Sequence, residues 1–351
     1  MTQTIEIGGR EIGHGRPVYV IAEAGVNHNG DPERAIELVT RASESGADCV
    51  KFQTFTAENI VTRAAPKAAY QLKVTDPSES QFDMLKKLEL QPGDYGRLID
   101  ACRAHDIQFL STPYNRADTD FLNDLGVDGF KIASGQLVEL PFLEYTARLG
   151  KPMIVSTGMA TLGEVDAALT TIRGTGNDRI VLLQCTTNYP SAIEDANVRA
   201  MVSMRDCFNV LTGYSDHTQN NYSVYAATAL GACLIEKHFT LDTRLPGPDH
   251  SCSLIPAQFA DMVVGIRDVE RALGSGVKRP TAAELANASG MRRSIVAKQY
   301  IAAGSTITGE MLDFKRPASG IEPKMLGHVV GKTARRDIQP DTPLTFGDID
   351  W

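Results

Sequence analysis

The chain has 351 residues, 42% of them hydrophobic and 22% charged, with 30 glycines and 17 prolines spread along its length, which predicts an ordinary globular protein with one large domain and a smaller one. A formal net charge of −8 excludes a nucleic-acid backbone binder, because such affinity needs concentrated positive charge. Any anionic ligand must therefore meet a local basic pocket. The opening MTQTIEIGGREIG has neither a basic nor an apolar leader segment, and no apolar run is long enough for a bilayer. Cys49, Cys102, Cys185, Cys207, Cys233 and Cys252 are widely spaced with no C-x-x-C pair, so reduced thiols are expected rather than disulfides or a zinc knuckle. Together these features predict a cytoplasmic protein with no membrane contact.

Short apolar runs recur in chain order: Tyr19 to Ala22, Cys49 to Phe52, Ile107 to Leu110, Gly129 to Ala133, Pro152 to Val155, Ile180 to Leu183, Val210 to Gly213 and Leu234 to Glu236. Amphipathic stretches such as Pro32 to Ser45, Tyr95 to His105, Gly163 to Arg173 and Ser223 to Leu230 lie between them. Eight repeated βα units predict a closed parallel (β/α)8 barrel, a TIM barrel. The one long departure, Phe55 to Gln91, exceeds what one helix and a loop require, and its SQFDMLKKLEL segment, with Ser80 suited to capping, predicts an extra helix over the barrel mouth. Residues 1–275 are assigned to the barrel and 276–291, most of it within the run GSGVKRPTAAELANASG that mixes Gly, Pro, Ser and small residues, to a linker. Residues 292–351 alternate short strands with Gly and Pro turns, which predicts a small β-rich domain near the lower size limit for independent folding.

Barrel active sites form at the carboxyl ends of the strands, and here those ends carry Glu23, Lys51 with Gln53, Thr112, Lys131 with Ser134, Ser156, Cys185 to Pro190, Ser215 to His217, and Glu236 to His238. A lone loop serine is more commonly a local backbone partner, but Lys51 and Lys131 lie in apolar strand patterns, where an unpaired ammonium is costly to bury. Two lysines with hydroxyls and exposed backbone N–H groups suit an anion bearing phosphate and carboxylate. His217 and His238 close adjacent strands, with Glu23 on the next one; two imidazoles, a carboxylate and waters suit a divalent ion such as Mn2+, with Mg2+ or Co2+ as alternatives. Of the other histidines, His14 and His105 are expected on the surface, and His28, His250 and His328 in or near the site.

The strings AEAGVNHNG, VKFQT, STPY, KIASG, STGMAT, GYSDHT, EKHFTLD and GPDH, in this order across the chain, resemble the sialic acid synthase family, and the C-terminal region with KRPASGI resembles the antifreeze-like SAF domain of that family. The resemblance implies condensation of phosphoenolpyruvate with an N-acetylated hexose, with release of phosphate. It implies catalytic roles for Glu23, Lys51, His217 and His238, with the two histidines as metal ligands. It implies phosphoenolpyruvate contacts from Lys51, Thr112, Lys131, Ser134, Ser156 and Ser215, and sugar contacts from Gln53, Tyr189, Asp249 and Arg316. Arg316 would come from the SAF domain of a second copy, in a domain-exchanged homodimer. Family members often place an asparagine in the strand-six segment; in CTTNYP, Asn188 is displaced, and that role stays unassigned. N-acetylmannosamine, giving N-acetylneuraminate, is the favoured sugar, and a 2,4-diacetamido-trideoxy hexose, giving N,N'-diacetyllegionaminate or pseudaminate, is the alternative.

Two rivals are weighed. A Schiff-base aldolase would use Lys131 or Lys237 as nucleophile, but leaves the paired histidines without purpose. A carbohydrate- or ice-binding protein is disfavoured because segment 292–351 is rich in Lys, Arg and Asp rather than in regular hydroxyl arrays.

Overall fold

A computed structural model describes residues 4–69 and 71–351; residues 1–3 of the N-terminal stretch, and Tyr70 within the excursion, lie outside the described residues. The chain divides into two compact units, residues 1–274 and 275–351. The first begins with a feature absent from the sequence reading, an antiparallel hairpin of β1 (Thr4–Ile7) and β2 (Arg10–Gly13) turned at Gly8-Gly9. The barrel strands follow: β3 (Tyr19–Gly25), β4 (Cys49–Thr54), β5 (Gln108–Pro113), β6 (Phe130–Ile132), β7 (Met153–Ser156), β8 (Ile180–Cys185), β9 (Leu211–Asp216) and β10 (Leu234–His238). All are parallel, in the order β5-β4-β3-β10-β9-β8-β7-β6. β5 and β6 face each other without a hydrogen-bonded ladder; Gln136 Nε2 reaches across to the Pro113 carbonyl at 3.1 Å. The sheet is thus a nearly closed eight-stranded barrel.

Most barrel strands run further at the carboxyl end than their apolar stretches, because their last residues are the polar ones that face the cavity. The helices are α1 (Pro32–Glu44), α2 (Ala57–Ile60), α3 (Gln71–Val74), α4 (Gln81–Lys86), α5 (Asp94–Ala104), α6 (Arg116–Asp124), α7 (Leu140–Arg148), α8 (Leu162–Gly174), α9 (Arg199–Phe208), α10 (Tyr222–Ala229) and α11 (Pro256–Leu273). Side chains set several starts: Asp31 accepts from Glu33 and Arg34 before a Pro at the first turn of α1, and Thr161 with Glu164 forms a capping box on α8. Helices α2 to α4 occupy the excursion after β4, and Ser80 caps α4 by accepting from the Asp83 N–H. One core lies between sheet and helices, around Val20, Val50, Phe52, Leu38, Phe259 and Ile266. Another fills the barrel at its amino end, where Ile5, Ile7 and Ile12 of the hairpin pack on Ile21, Leu110, Val181 and Leu234. The hairpin plugs the end opposite the site.

In the second unit, residues 282–291 of the stretch read as linker form helix α12 (Ala282–Met291), opened by a Thr281–Glu284 capping box and burying no side chain. Two antiparallel pairs follow, β11 (Ser294–Ala297) with β12 (Leu312–Lys315), and β13 (Thr333–Ala334) with β14 (Ile349–Asp350). They enclose a separate core of Ile295, Ile301, Ile307, Ile321, Ile338, Leu344 and Ile349. Among the described residues no helix is long and apolar enough to cross a membrane.

Candidate active site

A cavity of about 940 Å³ opens at the carboxyl ends of the barrel strands. Glu23, Lys51, Gln53, Thr112, Lys131, Ser134, Ser156, Tyr189, Ser215, His217, His238 and Asp249 all line it. Arg316 follows β12 in the second unit and is exposed. Strand periodicity explains the convergence: side chains two apart share a face, so Ser215 with His217, and Glu236 with His238, point into the barrel while Asp216 and Lys237 point out.

At the floor, Lys51 Nζ is ion-paired with Glu23, lies 3.8 Å from Glu236 and donates to Thr112 Oγ1 at 3.3 Å. Lys131 Nζ lies 3.2 Å from Glu236, and Ser215 Oγ donates to the same carboxylate at 3.0 Å. All four charged groups are buried. Burial raises the Glu236 carboxyl, but Lys131 and Lys51 outweigh it and hold the group at about 2. Glu23 ends on the other side of the balance: burial pushes its carboxyl up against the pull of Lys51, and the Glu236 charge adds to the rise. The lysines separate likewise. Burial lowers both, Glu23 and Glu236 restore Lys51 to above its ordinary value, and Lys131 stays below its own.

A β-bulge shapes the Glu23 end. Glu23 pairs with Lys51 and Gly25 with Phe52, so Ala24 is the extra residue; bulges re-aim side chains next to active sites. Gln53 Nε2 donates to Glu23 Oε1 at 3.1 Å, and Tyr114 OH donates to Gln53 Oε1 at 3.0 Å. On the far wall, Ser134 Oγ accepts from the Gly158 N–H at 3.0 Å and lies 3.2 Å from Cys185 Sγ. A Cβ at Gly158 would sit 2.1 Å from Thr187 Oγ1 and 2.8 Å from Ser134 Oγ, so only glycine leaves this wall its shape. Thr187 lines the cavity with its Oγ1 buried and unpartnered among the described residues, whereas Asn188 is exposed and outside it.

The rings of His217 and His238 are 5.3 Å apart, with Tyr189 4.2 Å from the first and 5.5 Å from the second. His217 Nδ1 is 2.6 Å from the Thr186 carbonyl, so it carries the proton and leaves Nε2 with its lone pair. Burial lowers His217 to about 4 and holds His238 well below the usual imidazole range, helped by His217. Both are neutral, as ligation requires. His238 Nδ1 is buried without a hydrogen-bond partner among the described residues, 4.0 Å from Asp249. Burial, with the Glu23 charge, pushes Asp249 up to about 7.

Several expectations change. Glu23 does not complete a three-residue metal cluster, because Lys51 and Gln53 hold its carboxylate; among the described residues no three His, Cys, Asp or Glu side chains converge on one point. Lys237 is not a candidate nucleophile: it faces outward, fully buried, paired with Asp216 at 2.5 Å. His28 and His250 are buried near the site, close in sequence to the cavity residues Val26 and Asp249 but not themselves lining it, with His250 bonded to Thr240 and Asn29; His328, by contrast, is exposed in the second unit. Glu236 and Tyr114 are site residues that the sequence reading assigned no role, although the alternation in EKH marks Glu236 as facing the same way as His238.

Residues 38–278 match the NeuB family model, and residues 292–350 match the SAF domain. The chain belongs to the NeuB family. Among its NeuB relatives, the N,N'-diacetyllegionaminic acid synthase of Campylobacter jejuni is 45% identical over 93% of this chain and 98% of its own length. The N,N'-diacetyllegionaminic acid synthase of Legionella pneumophila is 42% identical over 95% and 94%. Among solved structures, the N-acetylneuraminic acid synthetase of Leptospira borgpetersenii, crystallised with citrate, superposes with a TM-score of 0.73 at 30% identity, covering 82% of this chain and 95% of that one.

Proposed function

We propose that this NeuB protein condenses phosphoenolpyruvate with a 2,4-diacetamido-trideoxy hexose to give N,N'-diacetyllegionaminate and inorganic phosphate. The observation that carries the condensation is the buried Lys51–Glu236–Lys131 array with Thr112, Ser134, Ser156 and Ser215 around it, a ready set of donors for a phosphate and a carboxylate. For the sugar, the higher identity to the two legionaminic acid synthases than to the N-acetylneuraminic acid synthetase favours the diacetamido substrate over the N-acetylmannosamine expected from sequence. The wall supplied by the excursion agrees with it. Phe55, Ile60, Val61, Ala68, Met84 and Leu85, beside Asn59, Gln71 and Gln81, make the excursion's side of the cavity mostly apolar, which suits a methyl group at C6 better than a hydroxymethyl.

His217 and His238 fit a divalent ion: both rings are neutral, one nitrogen of each is left for ligation, and a pair of imidazoles with oxygen ligands suits Mn2+ best. Such an ion would polarise the aldehyde oxygen of the open-chain sugar. C3 of phosphoenolpyruvate attacks the aldehyde carbon, whose C=O π pair moves to the oxygen that becomes the new hydroxyl on taking a proton; C2 is left electron-deficient, with Lys51, Lys131 and the hydroxyls holding the phosphate and carboxylate. Water adds to C2 and gives its proton to Glu23, whose raised pKa makes it the better base of the two carboxylates. The tetrahedral intermediate then breaks its C2–O bond to the phosphate while the C2 hydroxyl becomes the keto oxygen, and inorganic phosphate leaves carrying the hydroxyl proton. Tyr189 and Asp249 face the sugar.

Val138, Met159, Leu162, Ile193 and Tyr222, in or bordering the loops after β6 to β9, are exposed at the cavity end of the barrel, and an apolar rim of this kind favours a covering partner. A second copy's SAF domain, contributing Arg316, is the proposed cover, in a homodimer.

Phosphate release measured with phosphoenolpyruvate and each of three sugars, before and after metal removal, tests the whole. The diacetamido hexose should give the highest kcat/KM, chelation should abolish turnover, and Mn2+ should restore it. In 18O-labelled water the label belongs in the sugar acid; label in phosphate, or no release with any sugar, overturns the reading.

A further inference from the structure

Gln53 sits at the cavity wall, yet both ends of its amide are already engaged. An ionised Glu23 can only accept, so the Gln53 NH2 must face Glu23 Oε1, at 3.1 Å, and its carbonyl oxygen must face away. That oxygen accepts from Tyr114 OH at 3.0 Å. The phenol is placed by its own packing: the Tyr114 ring meets Phe55 edge-on, with centroids 5.9 Å apart and planes at 82°. A second observation comes from Gly25, at φ +52, where a Cβ would approach Glu23 Oε1 to 3.2 Å and Gln53 Nε2 to 3.3 Å. Any larger residue crowds the one contact that joins the amide to the carboxylate.

We infer that Tyr114 is a positioning residue, acting through Gln53 to fix the orientation of Glu23. Tyr114 removes the amide's freedom to rotate. Without its O–H, the Gln53 oxygen loses its donor and the far end of the amide its anchor, so the side chain can swing away from Glu23 and weaken the charge-assisted hydrogen bond. The Lys51 ion pair then holds the carboxylate alone, and the second oxygen drifts from the line needed to take a proton from water at C2. The inference rests on the role given to Glu23 in the proposed reaction.

The test uses the full-length protein with Tyr114→Phe, Gln53→Met and the double variant. Tyr114→Phe keeps the ring and its Phe55 contact and should lower kcat about tenfold, with KM for phosphoenolpyruvate and for the sugar within about twofold of the parent. Gln53→Met should fall at least as far. Because the two act as one unit, the double variant should be no slower than Gln53→Met alone. A raised sugar KM with kcat held would make Tyr114 a substrate contact, and additive losses would make the two residues independent; either result overturns the relay. A readout without turnover separates this from the proposed reaction: in 15N-glutamine-labelled protein, the Gln53 side-chain amide resonance, assigned with Gln53→Met, should move in Tyr114→Phe. Wild-type protein that releases no phosphate sinks the reaction while the resonance still decides the relay; an unmoved resonance sinks the relay.

Discussion

Glu236 and Lys131, with Glu23 and Lys51 beside them, form a buried set of two carboxylates and two ammoniums. Removing one member of such a set leaves a charge without its partner, which destabilises a protein by about 3–5 kcal/mol. Glu236→Gln should therefore lower Tm by roughly 10 °C. An anionic ligand at the same lysines replaces the missing charge, so phosphoenolpyruvate should raise Tm further in Glu236→Gln than in the parent, as read by thermal denaturation with and without ligand. His28 makes a separate prediction. Burial, then the Arg34 charge, lowers its imidazole to about 4. Its folded value lies below its unfolded value of about 6.5, so its contribution is complete above about pH 6.5 and is lost as pH falls toward 4, by roughly 3 kcal/mol. His28→Gln should flatten the fall in Tm across that window. At this scale the sequence was most legible where one residue type has one physical use: Lys51 and Lys131 in apolar strands and His217 and His238 at strand ends reached the cavity, whereas Lys237, on the other face of β10, pairs with Asp216. It was least legible for Gln53, because a neutral amide on a cavity wall gives no sign of whether it meets a ligand or a neighbour until Tyr114 is placed beside it.

Among the elements, the excursion after β4 makes a close backbone approach to the loop after β3 at Gly30. At φ +74 its Cβ would lie 2.4 Å from the Lys87 carbonyl, just past α4. Gly30→Ala should therefore unseat the α4 end of the excursion and raise the sugar KM at least tenfold, while phosphoenolpyruvate affinity, measured by calorimetry, stays within about twofold. Equal losses for both substrates would show that the excursion is not a sugar-side wall. The same scale accounts for what the sequence concealed. The β1–β2 hairpin carries its core contribution on three isoleucines in ten residues, too short a run to stand out, although the Gly8-Gly9 pair between two alternating segments is a hairpin signal. Helix α12 hid in a stretch that mixes Gly, Pro, Ser and Ala, yet Thr281 and Glu284 spell a capping box. The bulge at Ala24 has no sequence signature beyond a glycine that follows it.

The two compact units have separate cores, so residues 1–274 expressed alone should keep the parent's barrel circular dichroism and lose synthesis if a second copy's SAF domain completes the site. Undiminished turnover of this fragment would contradict the assembly proposed above. The order of the strand-end residues around the ring was readable from sequence because a barrel converts chain order into position. The break in that ring was not, since it depends on whether two strands come close enough to exchange hydrogen bonds.

That break falls between β5 and β6, spanned by the Gln136 amide, and it separates Thr112 on one lip from Lys131 on the other. A cylinder with one unlaced seam can breathe there at little expense, since no backbone ladder has to part. An anion gripped from both lips would act as the missing stitch. Amide hydrogens along 108–113 and 130–132 should exchange with deuterium faster than those of the other barrel strands in the free protein, and slow selectively when phosphoenolpyruvate is bound.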